Sequence, residues 1–100
     1  MDYEIVWTDR ASTDLQAILE YIAEHNVEAA RQLADSLVER IDLLRTVPLM
    51  GAAYPRSGST AECRTITFKK YRVFYRILDR VHRVEILTVW HGARADPSVD

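Results

Sequence analysis

The chain has 100 residues, 48% of them hydrophobic, with three glycines, three prolines and a net charge of −2. That composition suits one domain, residues 1–100, around a single core, and excludes a fibrous or low-complexity chain. No apolar run reaches the roughly 20 residues of a membrane-spanning helix, and the start "MDYEIVW" lacks the basic flank and apolar centre of a secretory signal.

Cys63 is the single cysteine, and His25, His82 and His91 are scattered, so no metal-ligand spacing exists. The expectation is a cytoplasmic protein with no membrane contact, no cofactor and no metal.

In chain order, "YEIVW" at 3–7 is β-branched and aromatic and predicts a short strand. Thr8 or Asp9 offers an N-cap. Leu15, Ile18, Leu19 and Ile22 then recur at helical spacing opposite Asp14, Gln16, Glu20 and Glu24, predicting a helix over 10–24. His25 and Asn26 interrupt it, and Asn26 can cap a second helix carrying Ala30, Leu33, Leu37, Ile41 and Leu44. Arg40 and Arg45 suit the negative pole of that helix. Helices joined this closely are antiparallel neighbours. Pro48, Gly51, Pro55 and Gly58 mark a loop over 47–62. The period then changes from 3.6 to 2. Strands are predicted over 63–68, 71–78 and 83–90, joined by short turns into an antiparallel meander. Both helices must pack on one face of the sheet.

Alternation along 71–78 places Tyr71, Val73, Tyr75 and Ile77 on one face and Arg72, Phe74, Arg76 and Leu78 on the other. Strict alternation along 83–91 places Val84, Ile86 and Trp90 beneath the helices, and Leu87, Val89 and His91 on the opposite side. The second face therefore mixes large apolar residues with charges. Two helices cannot cover it, so another chain is expected to do so. The other solution is the loop 47–62 folded back. Charge is polarised too. Residues 1–55 hold four arginines against ten carboxylates, a balance of −6, and residues 56–94 hold nine basic residues against three acidic ones, +6. Seven of the nine are arginine, which favours planar contacts to phosphate or carboxylate. Exposed strand positions that simply carry arginine are the plainer account.

The helical hairpin, the P-x-x-G loop (Pro48, Gly51), the strand "YRVFYRI" with Tyr71, Arg72 and Tyr75, and the closing "ILTVWHGAR" together resemble the RelE/ParE superfamily of bacterial type II toxins, over nearly the whole chain. The resemblance implies an α+β fold, a two-layer α/β arrangement of N-terminal strand, antiparallel helical hairpin and three-stranded meander. It also implies growth inhibition, plasmid stabilisation, and a cognate antitoxin whose C-terminal segment wraps the toxin in a hetero-oligomer. An acidic antitoxin segment would suit the +6 half. Arg72, Phe74, Arg76, Leu87, Val89 and His91 are the expected antitoxin or target contacts.

RelE-like members cut messenger RNA on the ribosome, whereas ParE-like members act on DNA gyrase. RNA cleavage by the 2′-hydroxyl needs a base, an acid and cations around the strained phosphate. On the nuclease reading Arg64, Arg72 and Arg76 hold phosphate, and Arg72 and Arg94 match cations of the RelE-like pattern. His91 is then the acid or base, with Glu62 as partner base. The departures favour ParE. Residues 47–66 contain no lysine, the tail "ADPSVD" contains no tyrosine, and the chain is acidic overall. A strand cap at His91 and Arg94, and a structural Arg72 stacked between aromatics, are the alternatives at those positions. A member that only binds its antitoxin is the third functional reading.

Overall fold

Thr8 ends the first strand and starts the first helix. Its extended backbone lets Oγ1 accept the Ala11 N–H at 3.2 Å while donating to the Ile86 carbonyl at 2.8 Å. One hydroxyl thus caps a helix and ties it to the last strand. The computed structural model describes residues 2–54 and 62–92. In chain order these form β1 (Glu4–Trp7), α1 (Asp9–Ala23), α2 (Val27–Asp42), β2 (Ala52–Ala53), β3 (Glu62–Phe68), β4 (Tyr71–Leu78) and β5 (Arg83–His91). Short 3-10 turns at Leu43–Arg45, Pro48–Met50 and Asp79–Val81 join them.

Asn26 caps α2 as its position predicts, Oδ1 accepting the Ala29 N–H at 3.0 Å. The α2 stripe Ala30, Leu33, Leu37 and Ile41 is buried, and Leu44 continues it into the next turn. With Ala11 of α1, Leu37, Ile41 and Leu44 pack on Ile66, Val73, Tyr75, Ile77, Val84, Ile86 and Val89 of the sheet. Both helices lie on one sheet face. No helix among the described residues is long and apolar enough to cross a membrane.

The sheet runs β1-β5-β4-β3-β2, so the predicted meander is its centre. Two features add to it. β1 pairs with β5 in parallel, Glu4 opposite Arg83 through Trp7 opposite Ile86. Within the predicted loop, Ala52 and Ala53 pair antiparallel with Thr65 and Arg64 as a short edge strand.

The register of β4 against β5 corrects the face assignment. Tyr75 lies opposite Ile86 but Phe74 lies opposite Thr88, so Leu87 is an extra residue in β5. A bulge of one residue inverts the parity of everything beyond it. Val89, expected on the outer face, lies opposite Val73 in the helix-side core and is 2% exposed. His91, also expected outside, lies opposite Tyr71 on the helix side. Trp90, expected beneath the helices, lies opposite Arg72 on the outer face.

Candidate functional site

The outer face of the sheet has its own small core. Phe74, in the middle of β4, is completely buried and packs with Cys63 of β3, with Leu87 and Trp90 of β5 and with Tyr54. Tyr54 follows β2, and its ring meets Phe74 edge-on at 4.8 Å and 76°. Part of the loop 47–62 therefore does fold onto this face. The remainder of that loop lies outside the described residues.

Arg72 stands beside the cluster on the same strand. Its guanidinium carbon is 4.8 Å from the centre of the Phe74 ring and 5.9 Å from that of Tyr54. A planar cation over aromatic faces keeps its charge in water while its plane shields the rings. Four residues along, Arg76 bonds Glu85 across the strand pair at 2.6 Å. Arg83, at the start of β5, bonds Glu4 of β1 at 3.1 Å. Arg64 bonds Glu62. Three arginines of the second half, Arg64, Arg76 and Arg83, are thus paired with carboxylates within the fold.

The predicted site residues divide between the two faces. Arg72, Phe74, Arg76 and Leu87 share the outer one. Val89 is core, so its backbone shapes the site but its side chain is enclosed by the helices. His91 meets the Tyr71 ring edge-on at 5.5 Å and lines a cleft of about 810 Å³ between α1 and the end of the sheet, with Asp14 and Lys70. Arg64 lies opposite Tyr75, also on the helix side, where it donates to the Gly51 carbonyl at 2.6 Å. Arg94 lies outside the described residues. Arg72 and His91 are therefore neighbours in sequence pairing but project from opposite sides of the sheet.

Two residues that frame the site make contacts that their sequence pattern does not announce. Tyr75 is a core aromatic by pattern, yet its hydroxyl donates to the Pro48 carbonyl at 2.7 Å and accepts the Gly51 N–H at 2.9 Å. Burial pushes this phenol's pKa up, opposed by the Gly51 N–H and then by the Arg64 charge. Gly51 sits so close that a Cβ there would lie 2.7 Å from both Tyr75 Oη and the Thr65 carbonyl. This knot pins the segment leading to Tyr54. The second residue is Asp14. It reads as a solvent-side residue of α1, but its carboxylate accepts from the Thr88 hydroxyl and, at 3.3 Å, from the Val89 N–H. It anchors β5 just past the bulge, where β1 has already ended.

Comparison with known proteins agrees with this architecture. The family model for the ParE toxin of the type II toxin–antitoxin system parDE matches residues 5–96. Toxin RelE2 of Caulobacter vibrioides is 34% identical over 94 residues, covering 91% of this chain and 97% of that protein. The chromosomal ParDE system of P. aeruginosa contains a chain of TM-score 0.70 and 25% identity, covering 89% of this chain and 95% of that one. The RelBE2 toxin–antitoxin complex of Mycobacterium tuberculosis gives 0.60 and 26%, covering 91% and 99%. A two-helix, five-strand fold and a match spanning almost every residue lead to one conclusion: the chain belongs to the ParE toxin family of type II toxin–antitoxin systems.

Proposed function

We propose that this toxin poisons growth by binding a protein target, DNA gyrase, in the cytoplasm, and that a cognate antitoxin polypeptide silences it. The observation that carries the reading is the dispersal of the nuclease candidates. General acid–base cleavage needs its groups within hydrogen-bond reach of one phosphate. Arg72 projects from the outer face, while Arg64 and His91 project from the helix side. Arg64 sits opposite Tyr75 on β3 and His91 opposite Tyr71 on β5; four residues of strand length and two interstrand spacings separate their backbones by roughly 16 Å. The match to the ParE family model and the lysine-free segment 47–66 support the same reading.

The outer face is the proposed contact surface. Leu87 and Trp90 are half-buried there beside Arg72, an amphipathic arginine–aromatic patch of the sort enriched at protein interfaces. The neighbours solved as toxin–antitoxin complexes support a polypeptide as its partner.

The second reading, a ribosome-dependent ribonuclease, draws support from the 34% identity to a toxin named RelE2. Induced expression in growing cells separates the two. A DNA-damage response with intact transcripts supports gyrase. Cleaved transcripts, abolished by His91→Ala and Arg72→Ala in folded protein, would establish the nuclease. Neither phenotype leaves a protein that only binds its antitoxin.

A further inference from the structure

The cleft between α1 and the end of the sheet has two unlike walls. On α1 it meets Ala17, Ile18, Tyr21 and Ile22, residues of one helix face that span about 8 Å of the axis. Tyr21 is 67% exposed, so an aromatic ring stands open at this wall. On the sheet side the cleft meets Tyr71, Val89 and His91, with Lys70 beside them. That end of the sheet is held in place. The Gly92 N–H donates to the Lys70 carbonyl at 2.7 Å, and a Cβ on Gly92 would lie 3.1 Å from the same oxygen.

Three groups set the polarity of the cleft. Lys70 is exposed and makes no ion pair among the described residues. Tyr71 is 8% exposed, yet its hydroxyl has no hydrogen-bond partner among the described residues. A buried phenol normally finds one. Asp14 is the opposite case. Its carboxylate accepts from Thr88 and Val89 and stands 4.0 Å from the Arg10 Nε. It lies about one turn of α1 before Ile18. The cleft thus offers an ammonium and a hydroxyl from adjacent residues, and a carboxylate that is already bonded.

We propose that this cleft binds a small carboxylic acid with an apolar body. Lys70 and the Tyr71 hydroxyl hold the carboxylate, and Ile18, Tyr21 and Ile22 hold the hydrocarbon or aryl part. The volume of about 810 Å³ lies within the roughly 300–1,000 Å³ of small-molecule sites. One ammonium with Asp14 nearby suits a single negative charge better than a phosphate dianion. A nucleotide fits poorly for a second reason. Ala17, Ile18 and Ile22 present no side-chain donor or acceptor to the polar edge of a base. An amine fits no better, because it meets Lys70 and finds Asp14 already bonded. The proposal is independent of the target that the toxin poisons, since no outer-face residue enters it.

Titration of the intact chain with octanoate, followed by amide and methyl NMR shifts, tests it. The shifts should centre on Ile18, Ile22, Tyr71 and His91 and saturate. For a ligand of about ten non-hydrogen atoms the dissociation constant should be on the order of 1 mM. Acetate, which lacks the body, and octanol, which lacks the charge, should each bind at least about tenfold more weakly. Lys70→Met should weaken octanoate about threefold, and Tyr71→Phe, which keeps the ring, about fivefold. Together they should weaken it by about tenfold or more. Val38→Lys, in the groove between the two helices, should leave binding unchanged. Circular dichroism verifies the fold of each variant, and exposed Lys70 keeps the test open should Tyr71→Phe not fold. Absence of saturable shifts in the cleft overturns the proposal, as do shifts centred on the groove at Val38. Octylamine or AMP binding as tightly as octanoate overturns it too, and so does octanoate affinity unmoved by Lys70→Met in folded protein.

Discussion

The two faces of the sheet are both closed, but by different means. On the helix side Val73, Tyr75, Val84 and Ile86 are wholly buried beneath α1 and α2. That cover is made of whole elements, and removing it means unfolding. On the outer side Phe74 is equally buried, yet its cover is a set of single side chains: Tyr54, Leu87, Trp90 and the stacked guanidinium of Arg72. Side chains change rotamer at little cost, whereas helices do not move without breaking the core. The difference shows how one small domain keeps a rigid frame under one sheet face and a lighter cover of side chains on the other.

Mutations can break or sharpen that contrast. The largest effect is expected on the helix side. Leu37→Ala, at a position with 0% exposure, should cost about 2–5 kcal/mol in chemical denaturation. Tyr75→Phe should cost about 1–3 kcal/mol, because it orphans the Gly51 N–H and the Pro48 carbonyl. It should also raise the exchange rate of the Gly51 amide. Asp14→Ala should cost about 1–2 kcal/mol by releasing Thr88 and the Val89 N–H, and its exchange signature should be confined to β5 beyond the bulge. Arg72→Ala should cost less than about 1 kcal/mol of stability while weakening antitoxin or target binding at least tenfold. A stability loss there as large as that of Leu37→Ala would show that the outer cover is core and not a lid.

The smallest effect is one of pH. The Tyr75 phenol ionises above its ordinary value of about 10. Its neutral form therefore contributes stability in full below that value and loses it as pH rises through the folded pKa. The stability gap between wild type and Tyr75→Phe should accordingly be constant at neutral pH and narrow above about pH 10.

Much of this frame was legible in the residues. Thr8 and Asn26 announce helix starts by chemistry, the α2 stripe announces its buried face, and the change of period announces three strands. What escaped has no side-chain signature. The Ala52–Ala53 strand is too short and too plain to alternate, and it exists because β3 has an edge to pair. The bulge at Leu87 lies between the points where Thr8 and Asp14 grip β5, through contacts more than 70 residues apart in sequence. Because parity after a bulge is inverted, the correct reading of Tyr71, Val73 and Phe74 on β4 coexisted with an inverted reading of Val89, Trp90 and His91 on β5. The candidate site inherited that error: the residues on β4 were grouped correctly, and those past the bulge were not.

The parallel pairing of β1 with β5 has a consequence for how the molecule is made. The strand next to Glu4–Trp7 is built from residues 83–86, near the opposite end of the chain. A domain folds slowly when its ends must meet, and translation delivers those ends seconds apart. An emerging chain can coil its two helices early, but it has no central sheet to lay them on until its last strand leaves the ribosome. The parallel pair, and with it the finished sheet, can therefore form only after both strands are available together.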